Sequence, residues 1–427
     1  MGKINLFDYA TKELSQDAFF SWFLMWASKE CKELNENLHL CSQEFLRFLM
    51  TKCENIGEIQ NICIECQIPT KKDVDTEDND KRKGKKFIDI WVEITTDKNK
   101  YLVIIEDKTN TQQHDEQLEV YKKYATDWCN NNKYKEPICI YLKTGIEPNF
   151  NVQKVESKGY KIISRKCVLD IFDKYPNIQN HIFSDFCLRL KKLDELENFE
   201  NKPQIEWQKE DCVSDWRKSE KGHNKKNYGY CNGFYQKLDY EFKGVYKNSF
   251  KENREEATTW WSDTGYNINY EFGFFNVTGK NDEEYLMELR LQYVKNSNEL
   301  SLNIVIWFAT YDDGKLKSYK GFSKETEETS DKKYTIKKFW QDKISDYAKV
   351  FSSDITQKGE FKAKEWNQYK KGYSSIVQID KEHWLELKDN GCIDLKCTID
   401  KLKNCREFLY ACLNENKNEL KNFVKCW

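Results

Sequence analysis

The fold of this chain is decided by the stretch FIDIWVEI at residues 87–94, which is followed closely by YLVIIEDK at residues 101–108. Both stretches are apolar and predict two neighbouring β-strands. Side chains alternate along a strand, so Glu106 and Lys108 project from one face while the residue between them points away. A carboxylate on such a strand is costly unless it is paired or binds a metal. Asp89, Glu106 and Lys108 therefore predict a functional site.

The two strands have an alternative interpretation, a hairpin with a salt bridge at its rim, so the context of the pattern matters. Residues 112–128 carry apolar side chains at helical spacing and predict a helix directly after the second strand. Gln117 and Tyr121 lie four residues apart and share one face of that helix. The alternative for this pair is a surface glutamine beside a core tyrosine.

A further helix is predicted near the N-terminus, over residues 13–26. Ser15 is its predicted N-cap, and Asp17 lies in its first turn. Glu13 begins this segment, either as a functional carboxylate or as an acid favoured by the positive end of the helix dipole. The predicted apolar stripe of the helix consists of Leu14, Ala18, Trp22 and Met25.

The two-strand pattern resembles the core motif of the PD-(D/E)XK nuclease superfamily. Asp89 followed by Glu106-x-Lys108 has the spacing of that motif. Ile88 stands where the motif carries a proline, which is dispensable in many relatives. The resemblance covers roughly residues 1–198 and is closest to poorly characterised families of predicted nucleases.

Two further features resemble branches of the same superfamily. The pair Gln117-x-x-x-Tyr121 is similar to the additional motif of the RecB-type and lambda-exonuclease-type branches, in which both residues reach the active site or the nucleic acid. Glu13 stands where several branches carry a glutamate at the start of a leading helix, which becomes an additional metal ligand.

The resemblance implies an α/β fold with a restriction-endonuclease-like α-β-β-β-α-β core. The order of the predicted elements agrees with that core and adds one strand. After the leading helix come a strand at 62–69, the Asp89 strand, the Glu106 strand, a helix, a strand at 137–143, the added strand at 160–164 and a helix from Val168. We therefore predict a nuclease-like domain over residues 1–198 and a C-terminal α+β domain with an antiparallel sheet over residues 199–427.

The resemblance also implies roles for the site residues. Asp89 and Glu106, with Glu13 and the backbone carbonyl of Asp107, are the implied ligands of one or two Mg²⁺ or Mn²⁺ ions. Hard oxygen ligands suit these ions and argue against zinc. Lys108 is the implied residue that positions the attacking water or neutralises developing charge.

The function implied by the resemblance is a metal-dependent nuclease that hydrolyses phosphodiester bonds. DNA is favoured over RNA as the substrate, and genome defence, mobile-element conflict or repair is the implied setting. The alternative is a catalytically inactive nuclease-like domain that binds nucleic acid or a protein partner. The sequence leaves both a monomer and a homo-oligomer open.

Composition sets further limits on the chain. Its 427 residues predict two or three domains. We expect a soluble, cytoplasmic protein with no membrane association, because no long apolar run or signal-like segment occurs. The 16 cysteines are accordingly expected to be reduced. The net charge of −2 restricts any nucleic-acid surface to a local patch. The basic run at residues 81–86 is one candidate, and a solvated loop is its alternative.

The second half of the chain follows a predicted linker at residues 201–203 and carries no familiar motif. Alternating residues predict an antiparallel meander with one buried face. Its strands are predicted at 266–274, 285–293 and 300–308, followed by a helix at 336–351, a strand at 374–379 and a helix at 398–413. We expect a recognition or sensing domain whose ligand stays open.

Tryptophans are frequent in this second half and have two interpretations. They could form a stacking surface for single-stranded nucleic acid, or they could belong to the core and its rim. The tryptophans concerned are Trp260, Trp261, Trp307, Trp340, Trp366 and Trp384.

Overall fold

The structure is a computed structural model of the chain. It describes residues 5–8, 13–51, 53, 56–70, 86–109, 117–147, 149–209, 229–242, 260–263, 267–278, 284–294, 297, 299–312, 315–318, 327–350, 362–363 and 373–423. The chain forms two compact units. The first comprises Met1–Glu147, Asn151–Leu196 and Asp211–Asn227. The second comprises Pro148–Phe150, Glu197–Glu210 and Tyr228–Trp427. The boundary after residue 198 stays a prediction. No helix within the described ranges is long and apolar enough to cross a membrane.

The predicted elements up to residue 197 occur in the predicted order, and the structure adds further helices between and after them. Together, the elements are α1 (Glu13–Met25), α2 (Glu36–Leu49), β1 (Ile59–Pro69), β2 (Phe87–Thr96), β3 (Lys100–Lys108), α3 (Gln117–Asn132), β4 (Ile138–Lys143), α4 (Asn149–Ser157), β5 (Lys161–Ser164), α5 (Arg165–Phe172) and α6 (His181–Glu197). The strands form one five-stranded sheet in the order β1-β2-β3-β4-β5. The first three strands pair antiparallel, whereas β3, β4 and β5 pair parallel. This mixed sheet agrees with the predicted α/β class.

The five-stranded sheet is covered on both faces because its strands are apolar on both sides. Val103 and Ile105 of β3 pack into the core that α1, α2, α5 and α6 share. Leu102 and Ile104 point the other way and pack against α3. The alternation along β3 therefore continues to its end, with Glu106 on the α3 side of the sheet.

The predicted apolar stripe of α1 is wrong. Leu14 is 58% exposed and Met25 is 37% exposed. The helix is rotated so that its larger rings are buried, together with two polar residues. The buried side chains are Gln16, Asp17, Phe19, Phe20, Phe23 and Leu24. Ser15 is the third residue of the helix, so its predicted N-cap role is also wrong.

The second unit contains a six-stranded sheet and three helices among the residues that the structure describes. Its elements are α7 (Gly229–Glu241), β6 (Trp260–Asp263), β7 (Asn267–Thr278), β8 (Glu284–Val294), β9 (Glu299–Trp307), β10 (Ala309–Asp312), β11 (Lys315–Ser318), α8 (Glu327–Val350), β12 (Lys362–Ala363), β13 (Tyr373–Ile379) and α9 (Leu395–Phe423). The large sheet has the order β12-β13-β9-β8-β7-β6 and is antiparallel throughout. β10 and β11 form a separate hairpin.

The prediction that this meander has only one buried face is wrong. Glu288 and Arg290 of β8 lie on its polar face and are almost completely buried. The Arg290 guanidinium contacts Glu288 at 2.8 Å and Glu271 of β7 at 2.9 Å. Mutual pairing permits this burial, because an unpaired charge in the same place would be far more costly.

The structure bears on two other interpretations of the second half. The predicted linker at residues 201–203 lies beside Phe199 and Trp207, which are buried in the core of the second unit. Trp340 and Trp384 are fully buried, so they cannot stack on a nucleic acid. Trp366, the side chains of Trp260 and Trp261, and residues 81–85 of the basic run lie outside the described residues.

Candidate active site

Asp89, Glu106 and Lys108 converge at the ends of β2 and β3. The two strands pair antiparallel, which places Asp89 beside the end of β3 on its α3 side. The Lys108 ammonium lies 2.6 Å from Glu106 Oε1 and 3.4 Å from Asp89 Oδ2. It also donates a hydrogen bond of 3.1 Å to the backbone carbonyl of Asp107. One buried cation thus contacts three oxygens of the predicted metal-binding set.

The electrostatics of this cluster favour a cation. Burial, followed by the nearby charge of Asp89, raises the pKa of Glu106 to about 8, although Lys108 opposes this effect. Burial lowers the pKa of Lys108, but Glu106 and Asp89 outweigh that effect, so its pKa is raised and it stays protonated. Glu106 Oε2 is buried and accepts no hydrogen bond from the described part of the chain. A cation that approaches these carboxyl groups favours their charged form, so it would offset the burial and the repulsion that raise the pKa of Glu106.

Gln117 and Tyr121 contact the same cluster from α3. The Gln117 amide donates to Glu106 Oε1 at 2.9 Å and to the Tyr121 hydroxyl at 2.7 Å. Burial, followed by the charge of Glu106, raises the pKa of Tyr121, so its hydroxyl keeps its proton. The structure therefore brings this sequence-predicted pair to Glu106. α3 begins at Gln117 in the structure, and the predicted start at residue 112 lies outside the described residues.

We expect Gln117→Ala to lower turnover by about tenfold, which corresponds to about 1.4 kcal/mol in the barrier. The amide orients Glu106 and holds the Tyr121 hydroxyl, and Gln117 is only half-buried in the first turn of α3, so alanine should cost little stability there. Tyr121→Phe isolates the contribution of the hydroxyl. Initial cleavage rates and melting curves of both variants are the measurement, with the exposed Lys123→Ala of the same helix as the control. Parental rates in both variants would exclude a role for the pair in chemistry.

Glu13 and Asp107 are placed differently from the core of the cluster. Glu13 Oε1 accepts a hydrogen bond of 3.1 Å from the backbone amide of Thr109, directly after Lys108. The Asp107 carboxyl points to the opposite face of the sheet, where Gln16 donates to it at 2.5 Å. The backbone of Asp107, and not its carboxyl, faces the site, in agreement with the alternation of side chains along the strand.

Asp17 and Asp107 form a carboxyl pair beneath the site. Asp17 Oδ1 and Asp107 Oδ2 are both buried and have no hydrogen-bond partner among the described residues, which is costly for two charged carboxylates. Burial raises the pKa of Asp17 to about 7, and burial followed by the charge of Asp17 raises that of Asp107 well above its ordinary value. This pair is therefore uncharged, or shares one charge, near neutral pH.

The pH dependence of stability should report on this pair. The folded-state pKa of Asp17 is raised, so its favourable contribution is complete below about pH 4 and is lost as the pH rises towards 7. Asn at position 17 does not titrate, so it removes the repulsion between the two carboxylates that would otherwise grow as the pH rises. We therefore expect the melting temperature of Asp17→Asn to exceed that of the wild type by several degrees at pH 8 and by much less at pH 4. Melting curves in EDTA measure this, with the exposed Asp127→Asn as control. A difference that is constant with pH would contradict the assignment.

Gln67 and Lys143 are site residues that the sequence prediction missed. The Gln67 amide donates to Asp89 Oδ1 at 3.1 Å. Lys143 of β4 is paired in register with Lys108 of β3, and its ammonium lies 2.8 Å from the buried Glu147. Burial lowers the pKa of Lys143, although Glu147 opposes this effect. Lys143 could have been found from the sequence because, like Lys108, it is a lysine at the end of an apolar strand.

The oxygen atoms around the Lys108 ammonium are a candidate ligand set for a divalent metal ion. Among the described residues, no three acidic, histidine or cysteine side chains form a metal-binding group. The Asp89 and Glu106 carboxylates and the Asp107 carbonyl nevertheless share one cation, the Lys108 ammonium. Mg²⁺ is commonly held by one or two carboxylates while water and substrate phosphate complete its shell. The buried Glu106 Oε2, which accepts no donor from the described chain, fits this role.

Comparison with known proteins gives one match. Residues 4–206 match the family model described as the PD-(D/E)XK nuclease superfamily. No curated protein and no solved structure matches the chain. The matched region contains all of the sequence-predicted site residues, from Glu13 to Tyr121. This region of the chain therefore belongs to the PD-(D/E)XK nuclease superfamily.

Proposed function

We propose that this chain is a metal-dependent nuclease that hydrolyses phosphodiester bonds, with DNA as the favoured substrate. The observation that carries the proposal is the contact of one buried ammonium, that of Lys108, with Glu106, Asp89 and the carbonyl of Asp107. Buried charges that packing does not require are typical of functional sites. The superfamily match to residues 4–206 supports a nuclease.

The Asp89 and Glu106 carboxylates and the Asp107 carbonyl would hold Mg²⁺ or Mn²⁺, with Glu13 as a further acid at the entrance to the site. When bound, the ion would polarise the scissile phosphate and lower the pKa of the attacking water. Oxygen donors of this kind suit both ions.

The side chains of the chain supply the remaining chemistry. Lys108 stays protonated, so it can neutralise the charge that develops on the phosphate and can donate a hydrogen bond to the attacking water. Gln117 orients Glu106 through its amide and holds the Tyr121 hydroxyl in place. Tyr121 keeps its proton and is fully buried, so its hydroxyl acts on the site through its contact with Gln117 rather than on the phosphate directly.

The biological setting that we propose is genome defence, mobile-element conflict or repair in the cytoplasm. The second unit would then recognise the substrate or a signal. No sequence motif assigns a site of comparable chemistry to the described part of this unit. An oligomer is compatible with this proposal but is not required by it.

The proposal is tested by incubating the purified full chain with labelled single- and double-stranded DNA and RNA, in Mg²⁺, Mn²⁺ or EDTA. We expect cleavage of DNA in the presence of either ion and none in EDTA. Each reaction is also run on a native gel. Retarded but intact nucleic acid under every metal condition would support the alternative, a nuclease-like domain that binds without cutting. No cleavage and no retardation would contradict both.

A further inference from the structure

Gln67 has an unusual backbone conformation for its position. It lies near the end of β1 with a φ of +56°, in the left-handed region that disfavours residues with a side chain. Lys133 is the other described non-glycine residue with a positive φ, and it directly follows α3, where helices commonly end in this way. Gln67 has no helix end to explain its conformation. A strained residue that persists in a strand indicates a constraint from its surroundings.

The surroundings of Gln67 connect the backbone conformation to the site. In the pairing of β1 with β2, Cys66 lies opposite Ile90 and Ile68 opposite Ile88, so Gln67 lies opposite Asp89. A regular strand residue would direct its side chain along the normal alternation of the sheet. In the left-handed conformation of Gln67, the side-chain amide instead reaches the Asp89 carboxylate.

The two hydrogens of the Gln67 amide have separate acceptors. One contact is made with Asp89 Oδ1 at 3.1 Å, and the other with Asp17 Oδ2 at 3.2 Å. An amide nitrogen offers two donors, so these contacts use its full donor capacity. Because Asp17 belongs to the buried carboxyl pair on α1, the amide ties Asp89 to a part of the core.

The second oxygen of Asp89 is also held. Asp89 Oδ2 accepts a hydrogen bond of 2.9 Å from the backbone amide of Asp107. With Gln67 on one oxygen and the Asp107 amide on the other, the orientation of the carboxylate plane is fixed. Outer contacts of this kind orient the residues that bind a metal and tune their affinity.

We propose that Gln67 is a positioning residue that orients Asp89 for divalent-metal binding, and that its left-handed backbone is the conformation that gives the amide this reach. The inference rests on the proposed function, because it assigns Asp89 to the metal. Gln67 touches neither the phosphate nor the water in this assignment. Its effect passes through Asp89.

The test separates backbone strain from the amide by comparing three variants. Gln67→Ala removes the amide and keeps the strained conformation. Gln67→Gly removes the amide and relieves the strain, and Gln67→Asn tolerates the left-handed region but is too short to reach Asp89. We expect all three to bind Mn²⁺ about 10- to 100-fold more weakly than the wild type by calorimetry. In EDTA, we expect Gln67→Gly to melt at least about 2 °C higher than Gln67→Ala.

Lys133→Gly is the matched control, since it relieves the other positive φ at a distance from the site. It should raise the melting temperature while leaving the Mn²⁺ affinity unchanged. A structural role for Gln67 alone would alter melting in the three Gln67 variants without weakening Mn²⁺ binding, and this result would overturn the inference.

The same titrations distinguish failure of the inference from failure of the proposed function. If the wild type binds Mn²⁺ and Asp89→Ala does not, while the Gln67 variants keep the wild-type affinity, only the inference fails. If the wild type itself does not bind Mn²⁺, the proposed function fails and the inference falls with it.

Discussion

Glu106→Gln is expected to reduce cleavage by about 1,000-fold or more, which corresponds to about 4 kcal/mol in the barrier. Glutamine keeps the volume of the buried side chain and can still accept from Gln117, so the fold should be retained. It removes the negative charge that a divalent ion requires at this position. Asp89→Asn should have an effect of the same order, because it removes the second carboxylate that contacts Lys108.

The measurement is the initial rate of cleavage in saturating Mn²⁺, together with a calorimetric Mn²⁺ titration and a circular dichroism spectrum. Glu93→Gln is the matched control, since Glu93 lies on the same strand and face as Asp89 but accepts hydrogen bonds from Trp91 and Tyr134 instead. Its rate should equal that of the wild type. Normal cleavage by both the Glu106 and the Asp89 variants would refute the assignment of the active site.

Lys108→Met is expected to lower turnover by about 100- to 1,000-fold while Mn²⁺ binding is retained. Methionine replaces most of the volume but supplies no charge for the phosphate and no donor for the water. The metal-free variant should also be destabilised by about 3–5 kcal/mol, because Glu106 and Asp89 lose the ammonium that compensates their buried charges. Mn²⁺ should therefore raise the melting temperature of the variant more than that of the wild type.

Thermal melting with and without Mn²⁺ checks the second part of this prediction, and single-turnover cleavage checks the first. Lys100→Met, at the exposed start of the same strand, serves as the control and should change neither quantity. Loss of Mn²⁺ binding in a normally folded Lys108 variant would show that this lysine acts on the ion rather than on the phosphate and water.

The sequence was sufficient for the features that depend on local periodicity. The alternation along residues 101–108 correctly placed Glu106 and Lys108 on one side of the sheet and the Asp107 carboxyl on the other. Helical spacing correctly placed Gln117 and Tyr121 together, and the structure brings both to Glu106. In each case the periodicity of the strand or helix determined the direction in which the side chain points.

The features that the sequence did not predict depend on contacts between distant segments. Gln67 reaches Asp89 only through the pairing of β1 with β2, and Lys143 reaches the edge of the site only through the parallel register of β4 with β3. The buried face of α1 includes Gln16 and Asp17, because Gln16 donates to Asp107 and Asp17 accepts from Gln67, both on strands far along the chain. A hydrophobic pattern cannot identify polar residues that are buried for such partners.

The second unit shows the same limit for a sheet. Alternating polar and apolar residues correctly indicated strands at β7, β8 and β9. They also suggested that the polar side faces water, whereas Glu271, Glu288 and Arg290 are buried as a charged group. The pairing that makes this burial tolerable involves two strands and becomes visible only when the register is known.

The central position of β3 determines how the geometry of the site is lost when the protein unfolds. β3 is the central strand of its sheet, hydrogen-bonded to β2 on one side and β4 on the other, and residues 101–108 are all buried. Backbone amides in such a strand exchange with deuterium mainly when the whole unit opens, whereas edges and ends of a fold open independently. Glu106 and Lys108 are therefore attached to the slowest-exchanging part of the unit. Local fraying elsewhere would leave their geometry intact, and inactivation by heat would coincide with cooperative unfolding of the first unit.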